Sequence, residues 1–193
     1  MAKEDVSGLL SRWVKSLRHR RVLPHLRPGM TLLDVGCGLG ELCGRLPQDV
    51  RFIGIDREPE FIAHCRRRYP RHVFLEGDFF DLLPRLPTDL DVVLLLAVLE
   101  HAPRPEAFFP AAYGLLKPHG ALIATTPSPH SGPWHALGVR LGMLSGWAQR
   151  DHQALLGPER IRAMGGQAGF LLRCEERFLC GLNQFYAWDK EIS

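Results

Sequence analysis

The stretch LLDVGCGLGEL, residues 32–42, constrains the fold of this chain more than any other feature. It reads as an apolar strand that runs directly into a turn with glycine at every second position, Gly36, Gly38 and Gly40. Glycines at such positions allow the backbone to turn sharply and allow a ligand to approach it closely. The stretch therefore predicts an α/β fold in which a ligand lies against this loop.

Strand-like and helix-like patterns alternate along the rest of the chain. Strands are predicted at 31–35, 51–56, 72–78, 91–96 and 121–126; helices are predicted at 5–19, between the glycine loop and Pro47, from Pro59 to before Pro70, at 79–86, at 105–116 and from Pro158. This alternation indicates a mostly parallel sheet with helices on both faces. Two closing runs, 170–178 and 183–188, are too close for a helical crossover and should pair antiparallel. The predicted fold is Rossmann-like, a doubly wound seven-stranded sheet with an antiparallel C-terminal hairpin.

Composition predicts a soluble domain and a cytoplasmic location. With 46% hydrophobic and 23% charged residues, the chain suits one packed domain over 1–193, with an N-terminal helical part at 1–29 and an insertion at 127–157. The chain has neither a signal-peptide core nor an apolar run near the ~18 residues of a membrane span. Five cysteines without a CxxC pair predict reduced thiols and no metal site, so we expect a cytoplasmic protein.

The residues around the glycines exclude two kinds of ligand. A triphosphate-binding loop needs lysine and a hydroxyl residue after the glycines, but Glu41, Leu42 and Cys43 follow here. A dinucleotide fingerprint needs a third glycine where Glu41 stands. The remaining pattern, D-x-G-x-G-x-G from Asp34 to Gly40, resembles class I S-adenosylmethionine-dependent methyltransferases. Later motifs agree: FIGID, EGDFFD, an LEH after strand four, and LLKPHGALIATTP.

The resemblance implies S-adenosylmethionine as cofactor, S-adenosylhomocysteine as product, and a set of binding residues. Asp56 would hold the ribose hydroxyls, Asp78 the adenine amino group and Phe79 the ring, while Leu96 would lie beside the methionine part. Asp56 and Asp78 have a second interpretation as helix caps. The full set implied for the cofactor is Asp34, Gly36, Cys37, Gly38, Gly40, Asp56, Arg57, Asp78, Phe79 and Leu96.

The LEH motif resembles that of the type 11/12 methyltransferases and of the quinone-biosynthesis O-methyltransferase branch. That branch implies a small, apolar or aromatic acceptor that is methylated on oxygen. No clear equivalent of its upstream cofactor-binding arginine is present, although Arg20 or Arg21 is available. A hydroxyl acceptor benefits from a base, and the candidates are His101, His135 and His152. His101 has a second interpretation, in which its ring braces the cofactor pocket; the other two have one as exposed histidines.

The insertion at 127–157 follows strand five and carries an apolar run with Trp134 and Trp147. It is expected to act as a lid over the acceptor, with packing on the sheet or peripheral membrane contact as alternatives. A cofactor-binding module without turnover and an RNA-modifying enzyme remain rival functions. The net charge of +3 makes a nucleic-acid partner the less favoured expectation. Both a monomer and a homodimer are compatible with the sequence.

Overall fold

Seven strands form one sheet in the part of the chain that the computed structural model describes, residues 9–129 and 155–191, with side chains from Arg12 onward. Their order across the sheet is β3-β2-β1-β4-β5-β7-β6. The strands are β1 (Thr31–Val35), β2 (Arg51–Asp56), β3 (Val73–Glu76), β4 (Leu90–Leu96), β5 (Leu116–Pro127), β6 (Phe170–Phe178) and β7 (Asn183–Lys190). The predicted Rossmann-like architecture is confirmed.

Five α-helices connect or cover these strands within the described residues. They are α1 (Leu9–Val22), α2 (Pro59–Arg68), α3 (Phe79–Leu82), α4 (Phe108–Leu115) and α5 (Pro158–Gln167). Proline occupies the first turn of α2 and α5, where its missing N–H costs nothing. Helix α1 extends three residues beyond its predicted end, and no helix among the described residues is long and apolar enough to cross a membrane.

The pairing of the strands creates a crevice at one edge of the sheet. Strands β1 to β5 run parallel, and the chain order reverses between β1 and its neighbour β4. Ligands of open α/β sheets bind at the carboxyl ends of the strands at such a reversal. Strand β7 is antiparallel to both β5 and β6, as predicted for the closing hairpin.

The predicted helix between the glycine loop and Pro47 is wrong. Residues 36–42 form turns, and only a short 3-10 turn, Cys43–Arg45, follows. Gly36, Gly38 and Gly40 all have positive φ, between 56° and 73°. A right-handed helix cannot include residues in this left-handed region, so the loop stays open where a helix would have closed it.

Two apolar layers cover the two faces of the sheet. One contains α4, α5 and the inward side chains of β4 and β7, such as Val93 and Trp188; the other contains Val22 at the end of α1 together with α2. The central strand β4, LDVVLLL, contributes to both layers. Because a strand between two layers needs apolar side chains on both faces, this run carries no alternation.

Candidate active site

A cleft of about 270 Å³ lies at the carboxyl ends of β1, β2, β3 and β4. It brings together six of the predicted site residues, Gly36, Asp56, Arg57, Asp78, Phe79 and His101. Asp34, Cys37, Gly38, Gly40 and Leu96 do not line this cleft; they lie beneath the glycine loop, within it, or at the end of β4. A larger, open groove of about 500 Å³ at the opposite edge contains none of the predicted residues.

Backbone hydrogen bonds fasten the glycine loop to the end of β2. The N–H groups of Gly36 and Cys37 both donate to the carbonyl oxygen of Ile55, at 2.8 and 2.9 Å. A side chain at position 36 would place its Cβ 3.0 Å from a methyl group of Val98, which lines the cleft. Glycine at this position therefore keeps the wall of the cleft close to the backbone.

Asp56 links the glycine loop to the start of α2. Its Oδ2 accepts a hydrogen bond from the Gly38 N–H at 2.8 Å, and its Oδ1 accepts one from the Glu58 N–H at 3.0 Å. The N-cap of α2 is Glu58, so the alternative in which Asp56 caps that helix does not apply. A carboxylate offers about four acceptor positions, so Asp56, which is half-buried and lines the cleft, retains capacity for hydroxyl donors.

Asp78 caps helix α3 while it lines the cleft. Its Oδ1 accepts from the Phe80 N–H at 2.8 Å, and its Oδ2 pairs with Arg57. Burial raises the pKa of Asp78, but the hydrogen bonds from Arg57 and Phe80 outweigh this and hold it below its usual value. The carboxylate is therefore kept ionised and ready to accept a hydrogen bond.

Two aromatic rings line one side of the cleft, and a third packs against them. Phe79 is buried and stacks on Phe108 with ring centroids 5.4 Å apart and planes 10° apart. Phe80 meets both rings edge-on and is 38% exposed. Phe79 and Phe108 line the cleft and give it an apolar wall that suits a flat ring.

Asp34 is buried beneath the loop. Among the described residues, no positively charged side chain is found to shift its pKa. Its exposed fraction is 4%, and its Oδ1 has no hydrogen-bond partner there. Burial, together with the carboxylates of Asp56 and Glu41, raises the pKa of Asp34 to about 8. The carboxylates of Asp56 and Glu41 beside the loop suit a cationic ligand and do not suit a pyrophosphate, and a cation bound there would favour the ionised form of Asp34.

Two buried thiols support the loop from below. Cys65 of α2 and Cys37 both direct their sulfur atoms to the carbonyl oxygen of Gly38, at 3.3 and 3.8 Å. The neighbouring Cys65 thiol, followed by burial, raises the pKa of Cys37. A side chain at Gly40 would place its Cβ 3.0 Å from the Cys65 sulfur, so the predicted Cys37 and Gly40 support the loop from beneath the cleft.

Of the predicted bases, only His101 lies within the described residues. It is exposed, belongs to a 3-10 turn after β4, and lines the same cleft as Asp56 and Asp78. His135 and His152 lie outside the described residues, as does most of the expected lid, residues 130–154. Leu96 ends β4 and is partly buried against the layer beneath α1.

A polar junction connects α1 to the ends of β4 and β7. Arg18 donates from Nη2 to Asn183 Oδ1 at 3.1 Å and stabilises the charge of Glu100, a carboxylate only 1% exposed. Burial raises the pKa of Glu100, whereas Arg18 opposes the shift. Arg18 thus contacts polar residues beyond β4 and at the start of β7, whereas Arg20 is exposed and Arg21 pairs with Glu176.

Sequence patterns gave no sign of several lining residues. Ala97, Val98, Ala102 and Phe108 line the cleft. Ala97 has a φ of 60°, uncommon for a residue with a side chain, and its N–H donates to the Thr125 carbonyl oxygen at 2.9 Å. Among the described residues, no three His, Cys, Asp or Glu side chains are arranged to hold a metal ion.

These residues fit the cofactor that the motif resemblance implies. The cleft offers hydrogen-bond acceptors from Asp56 and Asp78 and an apolar aromatic wall, which suit a ribose and a purine. The unpartnered buried oxygen of Asp34 suits a cationic group above the loop.

The chain is similar to known methyltransferases. Residues 33–124 match the family model described as a methyltransferase domain. The chain is 28% identical over 175 residues to trans-aconitate 2-methyltransferase of Escherichia coli O1:K1, covering 83% of this chain and 69% of that protein. It is 34% identical over 108 residues to a probable S-adenosylmethionine-dependent methyltransferase of Mycolicibacterium smegmatis, covering 55% of this chain and 41% of that protein.

Two further similarities bear on substrate and fold. A tRNA U34 carboxymethyltransferase of Hahella chejuensis is 33% identical over 123 residues, which cover 59% of this chain and 38% of that protein. The crystal structure of a SAM-dependent methyltransferase from Archaeoglobus fulgidus superposes with a TM-score of 0.72 at 20% identity, covering 93% of this chain and 95% of that one. The latter similarity concerns the fold alone.

Proposed function

The chain is a class I S-adenosylmethionine-dependent methyltransferase, and we propose that it methylates an oxygen atom of a small-molecule acceptor. The observation that carries this proposal is the cleft at the carboxyl ends of β1 to β4, where Asp56 and Asp78 face an aromatic wall. The proposal extends to the residues that hold the cofactor and to the kind of acceptor.

In this proposal Asp56 accepts from the ribose hydroxyls and Asp78 from the adenine amino group, with Phe79 and Phe108 against the purine. Asp34 lies under the cationic end of the cofactor. Arg18, and not Arg20 or Arg21, serves as the upstream cofactor-binding arginine. The exposure of Arg20 and the pairing of Arg21 with Glu176 support that choice.

The cofactor supplies an activated methyl group for an in-line displacement. The chain's own residues orient the cofactor and hold the acceptor oxygen in line with the methyl group. His101 faces the cleft that the nucleoside would occupy, which favours its role as a brace for the cofactor over that of a base. An acceptor that is already an anion, such as a carboxylate, needs no base.

The acceptor is proposed to combine an apolar or aromatic body with an oxygen nucleophile. Buried polar side chains at the ends of β4 and β5, Glu100, Thr125 and Thr126, support a polar end directed at this edge of the sheet. The similarity to a trans-aconitate 2-methyltransferase supports including small carboxylic acids as well as phenols.

Calorimetric titration tests the cofactor, and a panel of acceptors tests the reaction. S-adenosylmethionine and S-adenosylhomocysteine should bind with micromolar dissociation constants, whereas NAD should not bind. The panel contains trans-aconitate, caffeic acid and a hydroxylated benzoquinone, each incubated with cofactor that carries a labelled methyl group. Cofactor binding without label transfer to any oxygen acceptor would contradict small-molecule O-methylation and favour a binding module.

An RNA substrate is the second candidate, because one relative is a tRNA U34 carboxymethyltransferase. Exposed Arg67 and Arg71, at and beyond the C-terminal end of α2, supply positive charge on the surface away from the cleft. Binding to RNA through phosphates weakens steeply as salt rises. Label transfer to bulk tRNA, with affinity that falls between 50 and 200 mM salt, would favour RNA over the small acceptor.

A further inference from the structure

Gln184, the second residue of β7, makes three hydrogen bonds in a buried position. Its Nε2 donates to the carbonyl oxygen of Pro127 at 3.2 Å and to that of Leu156 at 2.9 Å. Its Oε1 accepts from the Tyr186 hydroxyl at 2.8 Å. Its exposed fraction is 1%. The two carbonyl oxygens can only accept, so they define which end of the amide is the nitrogen.

The two carbonyl groups belong to distant parts of the chain. Pro127 is the last residue of β5, and Leu156 lies two residues before α5 begins. One side-chain amide thus joins the two ends of the segment 128–155. A backbone bond from Ser128 N–H to Leu182 O, at 2.9 Å, adds a second attachment at the β5 end.

The β5 end that Gln184 holds adjoins the proposed site. Thr126 is the register partner of Gln184 in the β5–β7 pair. The side chain of Thr126 lies close enough to Glu100, which precedes the cleft-lining His101, to oppose the rise that burial causes in the pKa of that carboxyl. A shift of the β5 end therefore reaches the residues at the end of β4, where the acceptor oxygen is proposed to lie.

We propose that Gln184 is a positioning residue for methyl transfer, which fixes Pro127 and Leu156 together and so sets where the β5 end meets the acceptor. This inference rests on the proposed function. Gln184 lines no part of the cofactor cleft, so replacing it should weaken binding of the acceptor and leave the affinity for the cofactor unchanged.

The test compares Gln184→Met with Tyr186→Phe as a matched control. The first variant removes both ties to the main chain at nearly constant side-chain length, whereas the control removes only the hydroxyl bond to Oε1. For the panel acceptor with the highest turnover, Gln184→Met should raise KM at least about tenfold, because two buried hydrogen bonds are lost. The S-adenosylhomocysteine affinity should stay within about twofold, and the control should retain a KM near that of the wild type.

Gln184→Glu provides a second variant if Gln184→Met does not fold. Its carboxylate cannot donate to either carbonyl group, but its acid form donates one hydrogen bond. Its KM should therefore fall as the pH is lowered, and the wild type should not show this rescue. A folded variant with wild-type KM would overturn the inference, even if its melting temperature has fallen.

Hydrogen exchange separates failure of this inference from failure of the proposed function. If the wild type methylates no acceptor, the proposal of small-molecule O-methylation fails. The proposal that Gln184 clamps Pro127 and Leu156 together is then tested by the hydrogen-exchange rates of the amides of Ser128 and residues 155–157. Faster exchange at both ends in Gln184→Met, but not in Tyr186→Phe, supports the clamp. Unchanged exchange at either end overturns it.

Discussion

At the scale of single residues, Asp56 combines a structural and a proposed binding task. It holds the N–H groups of Gly38 and Glu58. Replacing it by alanine should weaken S-adenosylhomocysteine binding by about 1.5–3 kcal/mol, the range for hydrogen bonds to a charged group. Isothermal titration calorimetry measures the loss, and Glu60→Ala, an exposed change in the first turn of α2, is the control. Equal affinity in a folded Asp56→Ala protein would contradict the ribose assignment.

The raised pKa of Asp34 predicts that the free energy of unfolding depends on pH. Its pKa is raised from 3.8 to about 8 in the folded chain, first by burial and then by Asp56 and Glu41. Between these two values the folded state binds more protons than the unfolded state, so this group makes the protein less stable as the pH rises. The loss approaches about 1.4 kcal/mol per pH unit inside that window.

The change Asp34→Asn should remove this contribution. Its free energy of unfolding relative to the wild type should therefore increase from pH 5 to pH 8, as measured by urea denaturation at each pH. A difference that stays constant over this range would show that Asp34 does not titrate there.

At the scale of elements, replacing either of two glycines by alanine is expected to change the free energy of unfolding in opposite directions. In β2, a Cβ at Gly54 would lie 2.8 Å from the Cys37 sulfur and 2.9 Å from atoms of Phe52 and Phe74. Gly54→Ala should therefore destabilise the protein by about 1–3 kcal/mol through overpacking. In α5, a Cβ at Gly166 meets nothing within 4 Å, so Gly166→Ala should stabilise it by about 0.5–1 kcal/mol. Denaturant titration compares the two; a stabilising Gly54→Ala would mean that the β2 layer is looser than described.

At the scale of the whole molecule, the cleft depends on four strand ends that only the folded sheet brings together. Cofactor binding should therefore stabilise the native state as a unit. S-adenosylhomocysteine at 100 times its dissociation constant should add about 2.7 kcal/mol, which corresponds to about 5–10 °C in melting temperature for a chain of this size. Differential scanning fluorimetry measures the shift, with NAD as the control. No shift at saturating ligand would contradict binding at this cleft.

The sequence by itself determined most of the elements and the kind of fold. Most strands and helices were predicted to within a few residues, although β5 begins at Leu116 instead of 121, because apolar periodicity and proline at helix starts reflect neighbours along the chain. The exception, the helix expected before Pro47, failed because three left-handed glycines interrupt it. The glycine loop and the acidic strand ends also predicted a ligand site at this edge of the sheet, since strand ends in a parallel sheet share one edge.

Tertiary structure alone decided which groups meet. Asp78 pairs with Arg57, and Arg18 lies near Glu100. Ala97 adopts a left-handed conformation in the cleft wall, and no local sequence pattern predicts any of these features. Gln184 likewise reaches Pro127 across 57 positions and Leu156 across 28. The physical reason is that hydrogen bonds and burial depend on distances in space, which the sequence sets only through the packing of all seven strands.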